Sequence, residues 1–212
     1  LEEVVINIRD THDRFSAKES LAFKANFLNR PIVDEYAELI FALINHLCPQ
    51  LQRKMKKSQF YISCDVDCPF DRGVKSVAAL SKSILGDVLK RKNLLLAGKR
   101  AVNYIASKKG NYKFDPNFTF EWYMDVCEEY GFKATFYFIC DHTGGSIDGD
   151  YFLEEKKIQS LMQRIHCRGH YLGVHGSYNT HKNKEQIFKE RNLMIELCNR
   201  LNIKQEIIGN RQ

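Results

Sequence analysis

With 212 residues, of which 44% are hydrophobic and 27% charged, the chain is long and apolar enough to bury the core of one main globular domain. Its formal net charge of +6 is modest, and the absence of any run of about eighteen apolar residues excludes a membrane span. Residues 1–30 also lack the apolar core of a signal peptide, so we expect a cytoplasmic protein.

Residues 1–58 are predicted to form an N-terminal helical and linker segment. Pro31 begins its helix and Pro49 ends it. Apolar residues recur three and four positions apart along this helix, which predicts one buried stripe. The stripe consists of Val33, Tyr36, Leu39, Ile40, Leu43, Ile44 and Leu47.

A second domain is predicted at residues 59–212. Its first strand, residues 59–64, is short, aromatic and β-branched, and it delivers Asp65 at its carboxyl end. Residues 76–107 follow as a helical region. This excursion is either a lid over a site or a simple insertion.

From residue 118 onward, helices and strands alternate, and two of the helices stop at a glycine that accepts the left-handed conformation. Such alternation predicts βαβ units around a parallel sheet, so the fold class is α/β. The predicted elements are a helix through Trp122 to Gly131, a strand at Ala134–Ile139, a helix ending at Arg168, a strand at Tyr171–Val174, a helix at Lys184–Leu201 and a strand at Glu206–Ile208.

Polar residues follow the predicted strands, and reactive residues of parallel sheets gather at these carboxyl ends. The candidates are Asp65 and Asp67 after the first strand, Asp141 and His142 after the second, His175 after the third and Arg211 after the fourth.

Asp65 and Asp67 set two carboxylates one residue apart, which is costly unless a cation or a shared proton relieves the repulsion. A divalent metal ion is the simplest relief, and a solvated Asx turn is the alternative. His175 ends a buried strand with an imidazole, the commonest metal ligand, although an ordinary turn histidine would give the same pattern. Together, the acidic pair and the histidine favour a metal site.

Seven scattered cysteines without a C-x-x-C pair are typical of reduced thiols and argue against a cysteine zinc site. Cys64 and Cys68 flank the acidic pair, so a thiolate ligand is one interpretation, and small buried thiols at a strand end are the better one.

Basic residues cluster at 53–57, 90–92 and 99–100. We interpret these clusters as solvated helix faces, because neither a nucleic-acid recognition motif nor a platform of aromatic residues accompanies them. The sequence therefore predicts no nucleic-acid partner. Weak attraction to an acidic polymer, including an anionic polysaccharide, is the alternative.

Three segments in this order resemble the polysaccharide deacetylase family: Cys-Asp-Val-Asp at 64–67, Lys-Ala-Thr-Phe-Tyr-Phe at 133–138 and Gly-His-Tyr-Leu-Gly-Val-His at 169–175. The resemblance covers the predicted second domain. Residues 29–36 also look like the segment that precedes this domain in a bacterial subgroup, whose histidine motif tends to read His-Gly-Ser-Tyr, as at 175–178.

This resemblance implies a partial or distorted (β/α) barrel that hydrolyses N- or O-acetyl groups on a sugar or surface polysaccharide, using zinc or a similar divalent ion. It further implies that Asp65 is the general base, that Asp67 and His175 are metal ligands and that Arg211 orients the base. His170 falls at a structural position of the family and is not counted as a ligand. The expected partner is a carbohydrate substrate.

One departure from the family pattern concerns the ligand set. The family's second histidine, four residues after the first, is Asn179 here, and an amide oxygen binds zinc more weakly than imidazole does. We take Asn179 as the third ligand, with His181 as its alternative, and Asp141, His142 and Tyr178 as substrate-binding residues.

The other departure concerns length. About four βα units precede the end of the chain, against roughly eight in a full barrel. We therefore expect the C-terminal part of the barrel to be missing and this fragment to be inactive as it stands.

Two other functions are compatible with the same residues. One is a different amidohydrolytic or phosphate-cleaving α/β domain, and the other is a catalytically inactive carbohydrate-binding domain of the same fold. The chain contains no P-loop, G-x-S-x-G elbow or dinucleotide fingerprint, so kinase, serine hydrolase and dehydrogenase functions have no support.

Overall fold

A computed structural model of the chain describes residues 2–11, 14–54, 57, 59–205 and 209–211. The chain forms two compact units, Leu1–Ser58 and Gln59–Gln212. The predicted strand at Glu206–Ile208 lies outside the described residues. Among the described residues, no helix combines the length and the hydrophobicity needed to cross a bilayer.

The α-helices are α1 (Glu2–Val5), α2 (Leu21–Lys24), α3 (Ile32–Leu47), α4 (Val77–Leu89), α5 (Leu94–Lys108), α6 (Phe120–Glu129), α7 (Lys156–Cys167) and α8 (Lys184–Arg200). The strands are β1 (Ile62–Val66), β2 (Ala134–Ile139), β3 (Tyr171–His175) and β4 (Gly209–Arg211).

Helix α3 dominates the first unit and has the bounds that its apolar periodicity predicts. The burial prediction for this helix is wrong, because the seven residues of its apolar stripe are 42–82% exposed. The other helices of this unit, α1 and α2, have one turn each and are too short to cover a helix of 16 residues. Periodicity specifies which face of a helix is apolar, but burial requires a partner.

The second unit is built on a four-stranded parallel sheet with the order β1-β2-β3-β4. Spatial order follows chain order, and helices precede β2, β3 and β4 in the sequence. The prediction of an α/β fold with parallel strands is confirmed.

Strand β1 begins later than predicted. Its ladder with β2 starts at the pair Ile62 and Ala134, and Phe60 and Tyr61 lie before it with 73% and 85% exposure. Their high β-propensity placed the predicted strand too early, whereas backbone pairing determines the real one. Asp65 therefore lies inside β1 rather than after it, and the residue that directly follows the strand is Asp67.

One face of the sheet is apolar. Side chains alternate along a strand, so Phe136 and Phe138 of β2 share this face with Leu172 and Val174 of β3. All four are at most 1% exposed, and they pack in one core with apolar residues of α6, α7 and α8.

The opposite face is polar at its centre. The register places Asp65, Tyr137, Gly173 and Gly209 side by side on the four strands. The ring of Tyr137 covers both glycines: a Cβ at Gly173 would lie 2.5 Å from the ring, and one at Gly209 would lie 3.3 Å from the hydroxyl. Glycine at these two positions gives the ring its place on the sheet.

Helices α4 and α5 form a hairpin joined by residues 90–93. The carboxylate of Asp87 is completely buried and accepts from Arg91 Nη1 at 2.5 Å and from Arg100 Nε at 2.6 Å. Burial by itself would raise the pKa of Asp87, but these two hydrogen bonds outweigh it and hold the pKa below its ordinary value. The prediction of a helical region at 76–107 is confirmed, as two helices.

Candidate functional site

Asp65 and Arg211 form an ion pair on the polar face of the sheet. Nε of Arg211 lies 3.3 Å from Oδ2 of Asp65. Nη1 of the same guanidinium donates to the hydroxyl of Ser63, which is two residues before Asp65 and therefore on the same face of β1. One cation thus binds two side chains of β1 and fixes the orientation of the Asp65 carboxylate.

Asp67 and His175 meet at the carboxyl ends of β1 and β3. Nε2 of His175 lies 4.0 Å from Oδ1 of Asp67, and the Asp67 side chain is 63% exposed, so the pair is open to solvent. Nδ1 of the same ring is 3.0 Å from the carbonyl oxygen of Gly176. Because a carbonyl can only accept, Nδ1 carries the proton of the neutral ring and Nε2 keeps its lone pair.

Tyr151 joins the carboxyl ends of β1 and β2, where the ladder between them stops. Its hydroxyl donates to the carbonyl of Val66 at 2.7 Å and accepts from the amide of Ile139 at 2.8 Å. Burial raises the pKa of Tyr151 well above its ordinary value, so the hydroxyl keeps its proton. A buried side chain therefore replaces backbone pairing at the mouth of the site.

Gly149 packs against the backbone of Asp67. Its φ is +87°, and a Cβ at this position would lie 2.7 Å from the carbonyl oxygen of Asp67. Glycine is therefore required both by the backbone conformation and by the close approach.

Three successive amides in the loop after β3 each donate to a side chain from elsewhere in the unit. The pairs are Ser177 to Glu190 at 3.1 Å, Tyr178 to Asp148 at 2.6 Å and Asn179 to Thr143 at 3.1 Å. Glu190 is completely buried and also accepts from the Ser177 hydroxyl at 2.5 Å. These bonds fix the loop that follows His175.

Asn179, the predicted third metal ligand, and His181, its alternative, both follow β3 in this loop. Asn179 Nδ2 donates to the carbonyl of Thr143 at 2.7 Å, which leaves Oδ1 as the only atom with which it could bind a cation. His181 Nδ1 lies 2.9 Å from the carbonyl oxygen of Tyr178, and the two rings are 6.4 Å apart. Within the part of the chain that the structure describes, no three His, Cys, Asp or Glu residues are grouped as a metal site.

Asp141 and His142 make contacts of their own after β2. Asp141 accepts from Lys189 Nζ at 2.6 Å, and this hydrogen bond lowers the pKa of Asp141 to about 2. The ring of His142 packs on Phe152 with the centroids 4.6 Å apart. Among the described residues, no hydrogen bond or ion pair links Asp141 or His142 to the two carboxylates, the imidazole or the guanidinium of the site described above.

His170 agrees with its interpretation as a structural residue. It is 2% exposed, and its Nδ1 accepts from the amide of Ala134 at 3.0 Å. Nε2 must then carry the proton, and it donates to Glu128 at 3.1 Å. Both ring nitrogens are occupied.

Cys64 is a thiol rather than a thiolate. Burial, together with the negative charges of Asp65 and Asp67, raises its pKa to about 11. Cys64 is half-buried, so its interpretation as a small buried thiol holds in part. The same interpretation is wrong for Cys68, which is exposed and whose sulfur accepts from Arg72 Nη2 at 3.2 Å.

Comparison with known proteins finds a match for the N-terminal part of the chain. Residues 1–49 match a family of unknown function, DUF7033. No curated protein and no solved structure matches the chain. The match lies in the first unit and the candidate site in the second, so any functional argument for the site comes from its own residues.

Several residues that support the site were missed in the sequence. Ser63 could have been found, because it lies two positions before Asp65 on the same strand face. Thr143 and Asp148 lie in a loop without periodicity, and Glu190 resembles any surface carboxylate on a helix. Only the folded chain shows that these three hold the loop after β3.

Proposed function

We propose that the second unit is a metal-dependent hydrolase that removes acetyl groups from a sugar or surface polysaccharide, with the fold of a partial or distorted (β/α) barrel of the polysaccharide deacetylase type. The observation that carries the proposal is the 4.0 Å approach of His175 Nε2 to Asp67 Oδ1 beside the ion-paired Asp65.

The distance suits two ligands of one cation. Metal–ligand bonds of about 2.0–2.2 Å at a tetrahedral centre place two ligand atoms roughly 3.4 Å apart, which a small side-chain rotation from 4.0 Å would reach. His175 presents the unprotonated nitrogen that coordination needs. Asp67 and His175 would hold the ion, with Oδ1 of Asn179 as the third protein ligand in this proposal.

A bound divalent ion would supply a water of lowered pKa and polarise the acetyl carbonyl. Asp65 performs the proton transfer in this proposal. Arg211 engages Oδ2, which leaves Oδ1 to take the proton as the water oxygen attacks the carbonyl carbon. The bond from carbon to the sugar nitrogen or oxygen then breaks, the sugar atom takes the proton that Asp65 removed from the water, and acetate leaves.

The barrel architecture is supported by the contact between the two outer strands. Asp65 lies on β1 and Arg211 on β4, at opposite edges of the described sheet, yet their side chains form an ion pair. Helices cover one face, and the polar residues lie on the other. A sheet that curls around its polar face is the arrangement from which a (β/α) barrel closes.

The decisive experiment measures metal content and acetate release together. The chain, extended by the C-terminal part of the barrel that the proposed fold requires, would be assayed against N- and O-acetylated oligosaccharides with added zinc. Asp67→Ala should lose both the bound metal and the release of acetate. Glu129→Ala, which removes an exposed carboxylate of α6, should lose neither. Acetate release by Asp67→Ala at the wild-type rate, or a wild-type protein without either property, refutes the proposal.

The second candidate is a catalytically inactive carbohydrate-binding domain. It is favoured by Asn179, whose amide already bonds to the backbone of Thr143 and so acts as part of the loop. If this candidate is correct, the protein binds glycans but releases no acetate, whichever divalent metal ion is added. Calorimetric titration with the same oligosaccharides distinguishes it from the hydrolase.

A further inference from the structure

The positive charge of the chain is concentrated in the α4–α5 hairpin and its flanks. Residues 72–113 contain eleven lysines and arginines and one acidic residue, Asp87, so their formal charge is +10, whereas the rest of the chain has a charge of −4. The modest net charge therefore conceals an uneven distribution of charge along the chain.

The tip of this hairpin, residues 82–99, combines cations with exposed leucines. The loop between the helices contributes Lys90, Arg91 and Lys92, all exposed. Single exposed apolar residues are ordinary, but several close together at one hairpin tip mark an interaction surface. The leucines are Leu85 at 58%, Leu89 at 64%, Leu94 at 74% and Leu95 at 70% exposure.

Cations and leucines share the outward faces of both helices. On α4, Lys82, Leu85 and Leu89 stand three and four residues apart, which places them on one face. On α5, Leu95 and Lys99 are four residues apart and also share a face. The hairpin thus presents two amphipathic edges in which the apolar part is at the tip.

The interior of the hairpin contains a charged network, and the four tip leucines lie outside it. Asp87 is completely buried between Arg91 and Arg100, which bind its two oxygens. Four other tip cations, by contrast, form no ion pair with any carboxylate in the described residues. They are Lys82, Lys90, Lys92 and Lys99.

We propose that this tip binds the surface of an anionic phospholipid bilayer. The lysines would contact phosphate and carboxylate headgroups, and the leucines would enter the boundary between headgroups and acyl chains. A nucleic acid is a poorer partner, because residues 82–99 contain no aromatic side chain on which a base could stack. A soluble polyanion would leave the leucines in water. The inference does not depend on the hydrolase activity.

Vesicle flotation tests the proposal. The purified protein should float with vesicles of phosphatidylcholine and phosphatidylserine, and not with phosphatidylcholine alone. The triple variant Lys90→Gln, Lys92→Gln, Lys99→Gln should bind about fivefold more weakly for each lysine removed, on the order of a hundredfold in all. The double variant Leu94→Ser, Leu95→Ser should lose binding at physiological salt and retain only a weak, salt-sensitive association.

The matched control removes the same charge elsewhere. Lys109 and Lys113 lie past the far end of α5, about 20 Å from the tip and beyond the Debye length of about 8 Å. With Lys156, an exposed residue of α7, they form the control triple Lys109→Gln, Lys113→Gln, Lys156→Gln, which should bind vesicles as the wild type does.

Three results would overturn the proposal. The first is no binding to phosphatidylserine vesicles, and the second is equal loss of binding in the two lysine triples. The third is a leucine variant that binds vesicles as tightly as the wild type. Retention on polyglutamate or single-stranded DNA, without vesicle binding, would assign the hairpin to an anionic polymer instead. All substituted residues are exposed, so circular dichroism should confirm folded variants.

Discussion

The guanidinium of Arg211 lies 3.3 Å from the carboxylate of Asp65, although β4 and β1 are the outermost strands of the described sheet. With neighbouring strands about 4.8 Å apart, a flat sheet would separate these two by roughly 14 Å. An arginine standing on one face could not cover that distance, so the sheet bends toward its polar side. The candidate site therefore depends on the curvature of all four strands.

Asp65→Asn tests the proposed base. The amide preserves the shape of the side chain but cannot take a proton, so acetate release should fall by about 10²- to 10⁴-fold while the metal content stays unchanged. Steady-state release of acetate and elemental analysis of the purified variant measure the two effects. Glu129→Gln serves as the control carboxylate. A wild-type rate in Asp65→Asn would contradict the assignment of the base.

Tyr151→Phe tests the link between β1 and β2. The substitution keeps the ring but leaves the buried amide of Ile139 and the carbonyl of Val66 without their partner. The free energy of unfolding should fall by about 1–3 kcal/mol. Urea denaturation measures this loss, and Tyr130→Phe, at an exposed position, should change the value by less than about 0.5 kcal/mol. Equal stability of the two variants would mean that the hydroxyl bridge contributes nothing.

Gly149→Ala and Gly145→Ala compare a glycine that has both a close contact and a glycine-only backbone conformation, with φ +87° and ψ −163°, with a glycine that has positive φ and open space around it. Both glycines have positive φ, but only a Cβ at Gly149 meets another atom, the carbonyl oxygen of Asp67 at 2.7 Å. Gly145→Ala should cost about 1–2 kcal/mol of stability, and Gly149→Ala should cost about 1–3 kcal/mol more. Gly149→Ala should also weaken metal binding, because it displaces Asp67. Similar losses in both variants would argue against the close packing at Asp67.

Lys189→Gln should make the free energy of unfolding less dependent on pH in the acid range. The pKa of Asp141 is lowered from 3.8 to about 2, chiefly by Lys189. A carboxyl group whose pKa is lower in the folded state stabilises the fold at pH values above its pKa in the unfolded state. This stabilisation disappears as the pH falls through its pKa in the folded state. The wild type should exceed Lys189→Gln in stability near neutral pH, and the two should converge as the pH falls from about 4 to 2.

Urea denaturation across this pH range measures that convergence. Lys184→Gln, which removes the same charge from the first turn of α8, should show a constant difference from the wild type. If the wild type and Lys189→Gln still differ in their free energy of unfolding at the lowest pH, the lysine acts through packing rather than through its charge.

Much of the sheet could be predicted because its strands have strong local signals. Strand β2 has the predicted bounds, since a buried run of aromatic and β-branched residues follows the helix stop at Gly131. The approach of Asp67 to His175 follows from a general rule, that the carboxyl ends of parallel strands share one edge. Local sequence carries both kinds of information.

Long-range partners explain what could not be predicted. Lys189 is 48 residues from Asp141, and no pattern in either segment indicates that they pair. The exposure of the apolar stripe of α3 could not be predicted either, because the sequence defines an apolar face without identifying what covers it. The predicted start of β1, Gln59, is too early, because the propensity of Phe60 and Tyr61 does not report the register with the neighbouring strand.

The flat ring of Tyr137 makes three strands interdependent in evolution. The ring of Tyr137 on β2 fills the space above Gly173 on β3, and its hydroxyl reaches Gly209 on β4, so neither glycine can gain a side chain without a shift of this ring. A methyl group at residue 173 becomes tolerable only once the tyrosine has been exchanged for something smaller. Homologous chains should accordingly keep this trio intact or replace its members together.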